Sequence, residues 1–455
     1  MNWKDQRILV VGLARSGMAA IDALHKRGAR LTAYDRKSLE EMAEQNKTLQ
    51  ERGIPVFAAE LPPINHEAYD LVVVSPGVPL DVSPVKEAIQ VGIPVIGELE
   101  LSYRLKAPAV QMHAVTGTNG KTTTTALLLH LLQSAGIPAA AGGNIGTALC
   151  SIVDNMSAGM IAVEASSFQL DTIKDFHPPV CAILNITPDH LDRHKTMEHY
   201  IEAKARVFQN QDAEDLVVLN YEDPIVRNLA RRAPSRVIFF SNQRTLQEGV
   251  FVQDQMICCR YAGETSPILP VSELRLRGKH NLENVVCAVA MAKAAGVSME
   301  IIRDALPGFK GIRHRMEEVA EHNGVLYIND SKGTNPNSTI KALEALEQPI
   351  ILIAGGRAKG GSFKQLAMVV RERVKELILL GEARDMIKGA VMEYGFENIH
   401  EVEDFPSAVH LAHKLACSGD VVLLSPACAS WDMFPSYEQR GDLFCQLVRD
   451  VTKQA

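Results

Sequence analysis

The residues best suited to chemistry lie in a short glycine-containing stretch, Val115–Thr123. It follows an apolar, β-branched run and precedes a helical pattern over 124–134. Backbone N–H groups at a glycine turn and a helix N-terminus attract phosphate, a lysine adds charge, and a threonine hydroxyl can bind Mg²⁺. The spacing Gly-x-x-Gly-Lys-Thr is two residues shorter than the usual phosphate loop. A glycine turn that caps an ordinary helix is the alternative, but the strand, turn, lysine and threonine together favour nucleotide binding.

Acidic residues follow two later strand patterns. Glu164 ends the apolar run Met160–Val163, where a carboxylate in a phosphate-binding domain can hold Mg²⁺. A solvated loop acid is the alternative, and position favours the metal role. The segment Asp189–His194 follows the run Val180–Ile186 and is dense in metal-binding and hydrogen-bonding groups, although a lone histidine is more often structural.

A lysine lies on the apolar face of the next predicted helix, Met197–Phe208. Lys204 shares that face with Met197, Ile201 and Phe208. Such a lysine usually extends its ammonium group to solvent, whereas a buried one has a lowered pKa and a reactive neutral amine. The pattern alone favours the solvent-exposed ammonium.

Loops near the N-terminus could hold a nucleotide diphosphate. The segment Gly12–Gly17 follows a strand pattern, and Asp35 ends the next one, which resembles the dinucleotide fingerprint. Ala14 replaces the second glycine of that fingerprint, so redox use of NAD is not favoured. Strand–helix packing alone is an equally good explanation of these glycines. A third loop, Ser75–Val78, follows the apolar run Leu71–Val74.

Three polar loops in the last third of the chain also follow strand patterns. They are Asn329–Pro336, Gly355–Gly361 and Ser425–Phe434. Each could be a plain strand-to-helix turn. Because all three lie at the carboxyl ends of predicted strands, a shared ligand site is favoured.

The elements that position these residues are short strands alternating with helices, which predicts an α/β fold with mostly parallel sheets. Several strand-like pieces over 237–277 predict a small antiparallel addition. The length of 455 residues suggests about three domains, at roughly 150 residues each. We expect domains at 1–98, 99–311 and 312–455.

Composition excludes several classes of protein. The 47 basic and 54 acidic residues give a net charge of −7, which provides no overall basic field for nucleic acid or an anionic membrane. Eight cysteines with no Cys-x-x-Cys pair predict neither a disulfide framework nor a zinc ribbon. No apolar stretch approaches the roughly 18 residues of a membrane span, and the first apolar run is too short for a signal peptide. We expect a cytoplasmic protein.

Taken together, these residues resemble the Mur ligase family of bacterial cell-wall synthesis, ATP-dependent enzymes that add amino acids to a UDP-linked muramic acid precursor. The resemblance covers essentially the whole chain and rests on signatures in family order: Thr116–Thr122, Glu164 with Ser166-Ser167, Asn185–Arg193, His280-Asn281 with Asn284, and His314-Arg315 with Asn329–Lys332. It implies an N-terminal Rossmann-like domain, a central P-loop ATPase-like domain carrying the antiparallel addition, and a C-terminal Rossmann-like domain.

The same resemblance indicates a branch of the family. Gly143–Gly146, Ser166–Leu170 and Ser425–Phe434 are similar to the branch that adds D-glutamate to UDP-N-acetylmuramoyl-L-alanine. The Asp-Asn-Pro-Arg motif of the branch that adds diaminopimelate or lysine is absent.

The resemblance implies roles for individual residues. UDP-precursor contacts are implied at Arg15, Ser16, Asp35, Arg36, Ser75 and Gly77, with Asn144, Ser166 and Gln169 orienting the muramoyl part. ATP contacts are implied at Gly117, Thr118, Asn119, Gly120, Lys121, Thr122, Thr123, Asn281, Asn284, Arg315 and Asp330. D-glutamate contacts are implied at Thr334, Lys359, Ser430 and Tyr437, with Lys332 near the reacting carboxylate. Two Mg²⁺ ions are implied, one held by Thr122 and Glu164 and the other by His190 and Lys204.

Lys204 matches a lysine that is carbamylated in the family, which reverses the preference for a solvent-exposed ammonium. A neutral amine adds CO₂ and becomes an anion that helps to hold Mg²⁺. The implied reaction activates the muramoyl-alanine carboxylate as an acyl phosphate, which the amine of D-glutamate then attacks to release phosphate. Lys121, His190, Lys204 and Lys332 are the implied catalytic residues. We expect a monomer whose C-terminal domain closes before chemistry. A ligase for another amino acid and a nucleotide sensor without turnover are the alternatives.

Overall fold

The computed structural model describes residues 2–144, 146–276, 278–358 and 362–453. Within these ranges, the chain forms three sheets of five, nine and six strands. It divides into two compact units, Met1–Phe309 and Lys310–Ala455. The first unit contains the five- and nine-stranded sheets, and the second contains the six-stranded sheet. The predicted α/β class is confirmed, whereas the exact domain boundaries remain predictions.

The first sheet is parallel, with strand order β3-β2-β1-β4-β5. Its elements are β1 (Arg7–Val11), α1 (Arg15–His25), β2 (Arg30–Asp35), α2 (Ala43–Glu51), β3 (Val56–Ala58), β4 (Leu71–Val74), α3 (Val85–Gln90) and β5 (Val95–Gly97). Strand order reverses between β1 and β4, and the carboxyl ends of strands at such a switch point are where α/β sheets bind ligands. The loops that begin at Gly12 and Ser75 leave the sheet at this point.

The second sheet has the order β14-β13-β12-β11-β10-β9-β6-β8-β7. Its first elements in chain order are α4 (Glu98–Leu105), β6 (Ala109–Thr116), α5 (Lys121–Ser134), β7 (Ala139–Gly143), α6 (Leu149–Val153), β8 (Ala158–Glu164), α7 (Ser167–Leu170), β9 (Val180–Ile183), α8 (Leu191–His194) and α9 (Met197–Ala205). The loop between β6 and α5 is the predicted phosphate loop. Strand β6 pairs in parallel with β8 and β9, so Thr116, Glu164 and the segment after Ile183 leave one edge of the sheet together.

The remainder of this sheet contains the predicted antiparallel addition. Its elements are β10 (Leu216–Asn220), α10 (Pro224–Leu229), β11 (Arg236–Ser241), β12 (Gly249–Gln253), β13 (Met256–Tyr261), β14 (Glu264–Pro270), α11 (Lys279–Ala294) and α12 (Met299–Ala305). Strand β13 runs antiparallel to both β12 and β14. Helix α11 packs on α5, and both contribute buried side chains to one apolar core.

The third sheet has the order β15-β16-β20-β17-β18-β19, and only β15 is antiparallel to its neighbour. Its elements are β15 (Glu317–His322), β16 (Val325–Asn329), α13 (Pro336–Glu344), β17 (Ile350–Gly355), α14 (Lys364–Arg373), β18 (Val374–Leu380), α15 (Arg384–Glu393), β19 (Ile399–Glu401), α16 (Phe405–Leu415), β20 (Val421–Leu424) and α17 (Tyr437–Lys453). Every residue of β17 is buried, which accounts for its continuous apolar sequence.

Helix α4 connects the first and second sheets through two buried carboxylates. Glu98 Oε1 accepts the N–H of Cys150 at 2.7 Å, near the start of α6. Glu100 accepts three backbone N–H groups from residues 174–176, at 2.8–3.1 Å. Burial raises the pKa of Glu98, against the opposing effect of the Cys150 N–H. No helix in the described ranges is long and apolar enough to cross a membrane.

Candidate active site

The loop between β6 and α5 is shaped by two glycines with positive φ. Gly117 has φ 151° and Gly120 has φ 83°, a left-handed conformation at the helix N-cap. A Cβ on Gly120 would lie 2.1 Å from Asn284 Oδ1, so α11 approaches the turn closely. The loop therefore requires glycine at residue 120 both for its backbone conformation and for its packing.

Asparagine side chains hold the same loop in place. Asn185 accepts the N–H of Thr118 at its carbonyl and the N–H of Asn119 at Oδ1, both at 2.8 Å. Asn284 Oδ1 accepts the Thr124 hydroxyl at 3.4 Å. Asn281 is the partner of the Asn284 amide at 3.5 Å. The structure thus brings the predicted ATP contacts Asn281 and Asn284 to the phosphate loop.

Two lysines donate to one carbonyl oxygen in this loop. Lys121 Nζ lies 2.9 Å from Gly117 O and 2.8 Å from Thr118 O. Lys204 Nζ lies 2.7 Å from the same Gly117 O, and its side chain is 1% exposed. The expectation that the Lys204 ammonium would reach solvent is therefore wrong, because the side chain is buried and its Nζ donates to the loop after β6.

The environment of Lys204 favours a neutral amine. Burial, followed by the charge of Lys121, lowers the pKa of Lys204 well below its usual value, while Asp189 and Glu164 act in the opposite direction. The centre of the Tyr200 ring lies 4.6 Å from Nζ, one helical turn before Lys204, and its hydroxyl is 3.2 Å from Thr118 Oγ1. A neutral lysine amine is a nucleophile, so this site can react with an electrophile such as CO₂.

Glu164, the last residue of β8, is 2% exposed. Its Oε1 accepts Asn144 Nδ2 at 2.9 Å, while its Oε2 is buried and has no hydrogen-bond partner among the described residues. Thr122, at the start of α5, is 8% exposed. A buried, unpartnered carboxylate oxygen on the same sheet edge as the phosphate loop is well suited to an oxygen-preferring cation, so these residues fit Mg²⁺.

His190 occupies a more open position. It has φ 52° at the N-cap of α8, and its side chain is 52% exposed. Its ring lies 5.1 Å from the Phe168 ring, and Asp189 Oδ1 accepts its backbone N–H at 2.9 Å. Exposure leaves the imidazole accessible to a ligand, as a metal-binding or proton-accepting role would require.

Ser166 and Gln169 bond to each other in a capping box. The Ser166 side chain accepts the Gln169 N–H at 3.3 Å, and Gln169 Oε1 accepts the Ser166 N–H at 3.0 Å. These polar groups therefore hold the N-terminus of α7, directly after the end of β8. Their predicted contact with the muramoyl part stays a prediction.

In the first sheet, the predicted UDP contacts divide into two groups. Ser75 is 6% exposed and donates its hydroxyl to Gly12 O at 2.8 Å, and Asp35 Oδ2 accepts the Leu13 N–H at 2.8 Å. These side chains shape the loops at the switch point. The other predicted contacts lie at these loops. Arg15, Arg36 and Gly77 are exposed, and Ser16 is partly exposed.

In the second unit, Asp330 lies at the centre of a buried polar cluster. Its Oδ2 accepts the Ser425 hydroxyl at 2.7 Å, and its Oδ1 accepts the Met316 N–H at 3.3 Å. Burial raises the pKa of Asp330 to about 6, although the Ser425 hydrogen bond and the charge of Arg315 oppose the shift. Arg315 itself is exposed.

The loops predicted to hold D-glutamate meet around a buried arginine. Arg440 is 1% exposed and donates to Ser331 Oγ at 3.0 Å, to Ser331 O at 2.9 Å and to Cys428 O at 3.3 Å. Lys332 Nζ lies 6.0 Å from the centre of the Tyr437 ring, at the start of α17. Arg440 thus joins the loop that carries Lys332 to the loop that carries Ser430.

The structure describes two of the other three predicted D-glutamate contacts. Ser430 is buried, and its carbonyl accepts the Phe434 N–H at 2.7 Å. Thr334 is partly exposed and donates its N–H to Lys332 O at 2.8 Å. Lys359 lies outside the described residues.

Sequence reasoning missed three side chains that organise these sites. Tyr200 could have been found from its spacing of four residues from Lys204 on one helix face. Ser425 and Arg440 act through contacts across the sheet, 95 and 109 residues from Asp330 and Ser331, and no local pattern reveals such partners.

A phosphate loop with a buried lysine and an unpartnered carboxylate defines a nucleotide-binding α/β protein, and comparison with known proteins identifies its class. Three family descriptions match in succession: Mur ligase MurD-like N-terminal domain over residues 6–97, Mur ligase middle domain over 115–292, and Mur ligase glutamate ligase domain over 314–428. The chain belongs to the Mur ligase family.

Its relatives indicate a particular branch. The chain is 48% identical over 450 residues to the UDP-N-acetylmuramoylalanine–D-glutamate ligase of Pelotomaculum thermopropionicum, covering 98% of both proteins. It is 42% identical over 459 residues to the enzyme of that name from Caldanaerobacter subterraneus, covering 100% of both. Among solved structures, a UDP-N-acetylmuramate–alanine ligase from Thermotoga maritima is 20% identical with a TM-score of 0.55, covering 98% of this chain and 99% of the other. That likeness supports the fold.

Proposed function

We propose that this chain is an ATP-dependent UDP-N-acetylmuramoylalanine–D-glutamate ligase of peptidoglycan synthesis. It joins the carboxylate of UDP-N-acetylmuramoyl-L-alanine to the amine of D-glutamate and releases ADP and phosphate. The full-length relatives at 42–48% identity support this substrate pair. The observation that carries the proposal is the pair Lys121 and Lys204 on Gly117 O, at the sheet edge where Glu164 has a buried carboxylate oxygen with no hydrogen-bond partner in the described part of the chain.

The phosphate loop is proposed to hold the ATP phosphates. Backbone N–H groups from Gly117 to Thr123 and the N-terminus of α5 face the anion, and Lys121 supplies a positive charge. Lys121 bonds to two loop carbonyls, and it exchanges them for phosphate oxygens when ATP binds. Asn284, Arg315 and Asp330 are proposed to contact the adenosine part of ATP, and Asn281 is proposed as a further ATP contact.

The acyl group must be activated because a carboxylate is a poor electrophile. Its oxygen attacks the γ-phosphorus of ATP, the bond to the β-phosphate oxygen breaks, and an acyl phosphate and ADP form. The amine of D-glutamate then attacks the acyl carbon, and phosphate leaves. Both reactants of the first step are anions, so Lys121 lowers its barrier by offsetting their charge.

Two Mg²⁺ ions are proposed, one held by Thr122 and Glu164 and the other by His190 and a carbamate on Lys204. When bound, they supply charge neutralisation and align phosphate oxygens. Lys204 acquires the carbamate when its neutral amine forms a bond to the carbon of CO₂ and loses a proton. This modification converts a buried neutral amine beside Lys121 into a carboxylate-like anion, which attracts the Lys121 ammonium and a cation.

The remaining predicted residues recognise the other substrates. Arg15, Ser16, Asp35, Arg36, Ser75 and Gly77 are proposed to contact UDP, with Asn144, Ser166 and Gln169 near the muramoyl part. Lys332, Thr334, Lys359, Ser430 and Tyr437 are proposed to hold D-glutamate. A deprotonated amine is needed for attack, and His190 or the Asp189 region is proposed to accept the proton. We place the enzyme in the cytoplasm, as a monomer.

A substrate panel tests this function. Phosphate release is measured with ATP, Mg²⁺ and UDP-N-acetylmuramoyl-L-alanine against D-glutamate, L-glutamate, diaminopimelate and L-lysine. Release with D-glutamate alone is expected. Stimulation by another amino acid but not by D-glutamate would contradict the substrate assignment, and no release with any of them would contradict ligase activity. Lys121→Ala should abolish release, since it removes the phosphate charge partner.

A further inference from the structure

Arg193, on the short helix α8, reaches from the second sheet to a loop of the first. Its guanidinium donates to Pro76 O at 3.2 Å and to Val78 O at 2.9 Å. Both carbonyls belong to the loop after β4, at the switch point of the first sheet. One planar side chain thereby holds two carbonyls of a loop that lies more than 100 residues away in sequence.

The guanidinium also rests on an aromatic ring. The Cζ atom of Arg193 lies 3.9 Å from the centre of the Phe168 ring. That ring stacks on His194 with centroids 5.1 Å apart and planes 9° from parallel. His194 in turn lies 5.2 Å from the Tyr200 ring, whose hydroxyl is 3.2 Å from Thr118 Oγ1.

These contacts form an unbroken series from the loop after β4 to the phosphate loop. We define the Arg193 series as Arg193, Phe168, His194 and Tyr200. Within the first sheet, the loop itself is tied by the Val78 N–H to Ser75 O at 3.0 Å and by the Ser75 hydroxyl to Gly12 O. Those bonds fix its shape, and Arg193 ties it to the second sheet.

We propose that Arg193 is a positioning residue that sets the precursor loop, Ser75–Val78, at a defined distance from the phosphate loop. This inference rests on the proposed function, in which UDP binds at the first sheet and the muramoyl carboxylate must reach the γ-phosphate of ATP. The precursor spans the distance between the two loops, so a shift of either loop displaces the reacting carboxylate relative to the γ-phosphate. Arg193 itself touches neither reacting atom.

The chain offers a matched control at the opposite edge of the same two sheets. Arg27 follows α1 and forms an ion pair with Asp154, which follows α6. It also donates to Ala23 O at 2.8 Å. This arginine joins the first sheet to the second, as Arg193 does, but it lies at the amino ends of the strands. Its loss weakens the same connection without touching the precursor loop.

The test compares Arg193→Ala, Arg193→Lys and Arg27→Ala in the full chain, with each substrate varied in turn. For Arg193→Ala, the KM for UDP-N-acetylmuramoyl-L-alanine should rise about tenfold or more, as expected for losing charged hydrogen bonds. The KM for D-glutamate should stay unchanged. Arg193→Lys should show nearly the same rise in the KM for UDP-N-acetylmuramoyl-L-alanine, because an ammonium group cannot bond to both carbonyls and also stack on the Phe168 ring. Arg27→Ala should lower the melting temperature and leave all three KM values unchanged.

Phe168→Leu provides a second variant that keeps the arginine. It should raise the KM for UDP-N-acetylmuramoyl-L-alanine by a smaller factor. Its effect should not add to that of Arg193→Ala, since both substitutions remove the contact between the Arg193 guanidinium and the Phe168 ring. An unchanged precursor KM in a folded Arg193→Ala enzyme, or equal rises for all substrates, would overturn the positioning role. If Arg193→Ala does not fold, the result for Phe168→Leu decides. A wild-type enzyme inactive with D-glutamate would instead refute the proposed function.

Discussion

Lys121 and Lys204 donate to the same carbonyl oxygen, that of Gly117, at 2.9 and 2.7 Å. Two ammonium groups at one acceptor repel each other strongly in a buried setting, so the less exposed amine loses its proton first. The geometry therefore favours a neutral Lys204 amine, the form that the proposed carbamylation requires.

Replacing Lys204 tests that consequence. Lys204→Ala should lose nearly all ligase activity, because the carbamate is the proposed ligand of one Mg²⁺. Addition of a short carboxylic acid such as acetate should restore part of the rate by occupying the vacated volume. Lys174→Ala, which changes an exposed lysine, serves as the control and should leave activity unchanged. Normal activity of Lys204→Ala would refute the role of the carbamate.

Gly120→Ala should abolish ATP binding and destabilise the first unit. The new Cβ would meet Asn284 Oδ1 at 2.1 Å, in addition to the strain of φ 83°. Gly136→Ala isolates the strain, since that glycine has φ 74° and a Cβ added there would meet nothing within 4 Å. We expect Gly136→Ala to cost about 1 kcal/mol in unfolding free energy, with ATP affinity intact. Calorimetric titration with ATP and thermal melting measure both effects. Equal losses in the two variants would exclude the contact with Asn284 as the cause.

Asp330 should make the stability of the second unit depend on pH. Its pKa is raised from 3.8 unfolded to about 6 folded, so the folded state holds a proton that the unfolded state releases. Below pH 3.8 the carboxyl is protonated in both states, and Asp330 does not lower the free energy of unfolding. As pH rises from 3.8 through 6, the free energy of unfolding falls by about 3 kcal/mol in all. Asp330→Asn removes this slope, and its amide can still pair with Ser425 and Met316.

Denaturant melts of wild type and Asp330→Asn between pH 4 and 7 measure the difference. The variant should gain relative stability with rising pH, while its KM for ATP rises through loss of the proposed adenosine contact. Identical pH slopes in the two proteins would rule out the raised pKa of Asp330.

Arg440→Met should loosen the two loops that Arg440 joins. The carbonyls of Ser331 and Cys428 would lose the hydrogen bonds that Arg440 donates, at a cost of about 1–3 kcal/mol. The KM for D-glutamate should rise more than that for ATP, because Lys332 and Ser430 lie in these loops and shift with them. Arg449→Met, at an exposed position of the same helix, should change neither. A stable variant with an unaltered KM for D-glutamate would show that the loops hold their positions without Arg440.

The sequence patterns predicted the strands well because parallel strands buried on both faces carry long apolar runs. They also indicated a strand–turn–helix around the predicted phosphate loop, since its signal is local: glycine, lysine and threonine lie within a few residues, between β6 and α5. They failed at Lys204, because periodicity shows which face a residue lies on and not how deeply that face is buried. Ser75 and Asp35 illustrate another limit, because a polar side chain after a strand can bond to the loop itself. Arg193 depends on partners over 100 residues away, which no local pattern reveals.

The two buried glutamates of α4 also influence how the first unit unfolds. Glu98 bonds to the start of α6 and Glu100 to residues 174–176, while Arg27 pairs with Asp154. Separating the first sheet and α4 from the second sheet would leave Glu98 and Glu100 without their N–H donors and Asp154 without Arg27, so neither part keeps its full stability alone. We expect residues 1–309 to lose their structure in one cooperative transition, and a fragment that ends with α4 at Leu105 to fold poorly, because it exposes both glutamates without their donors.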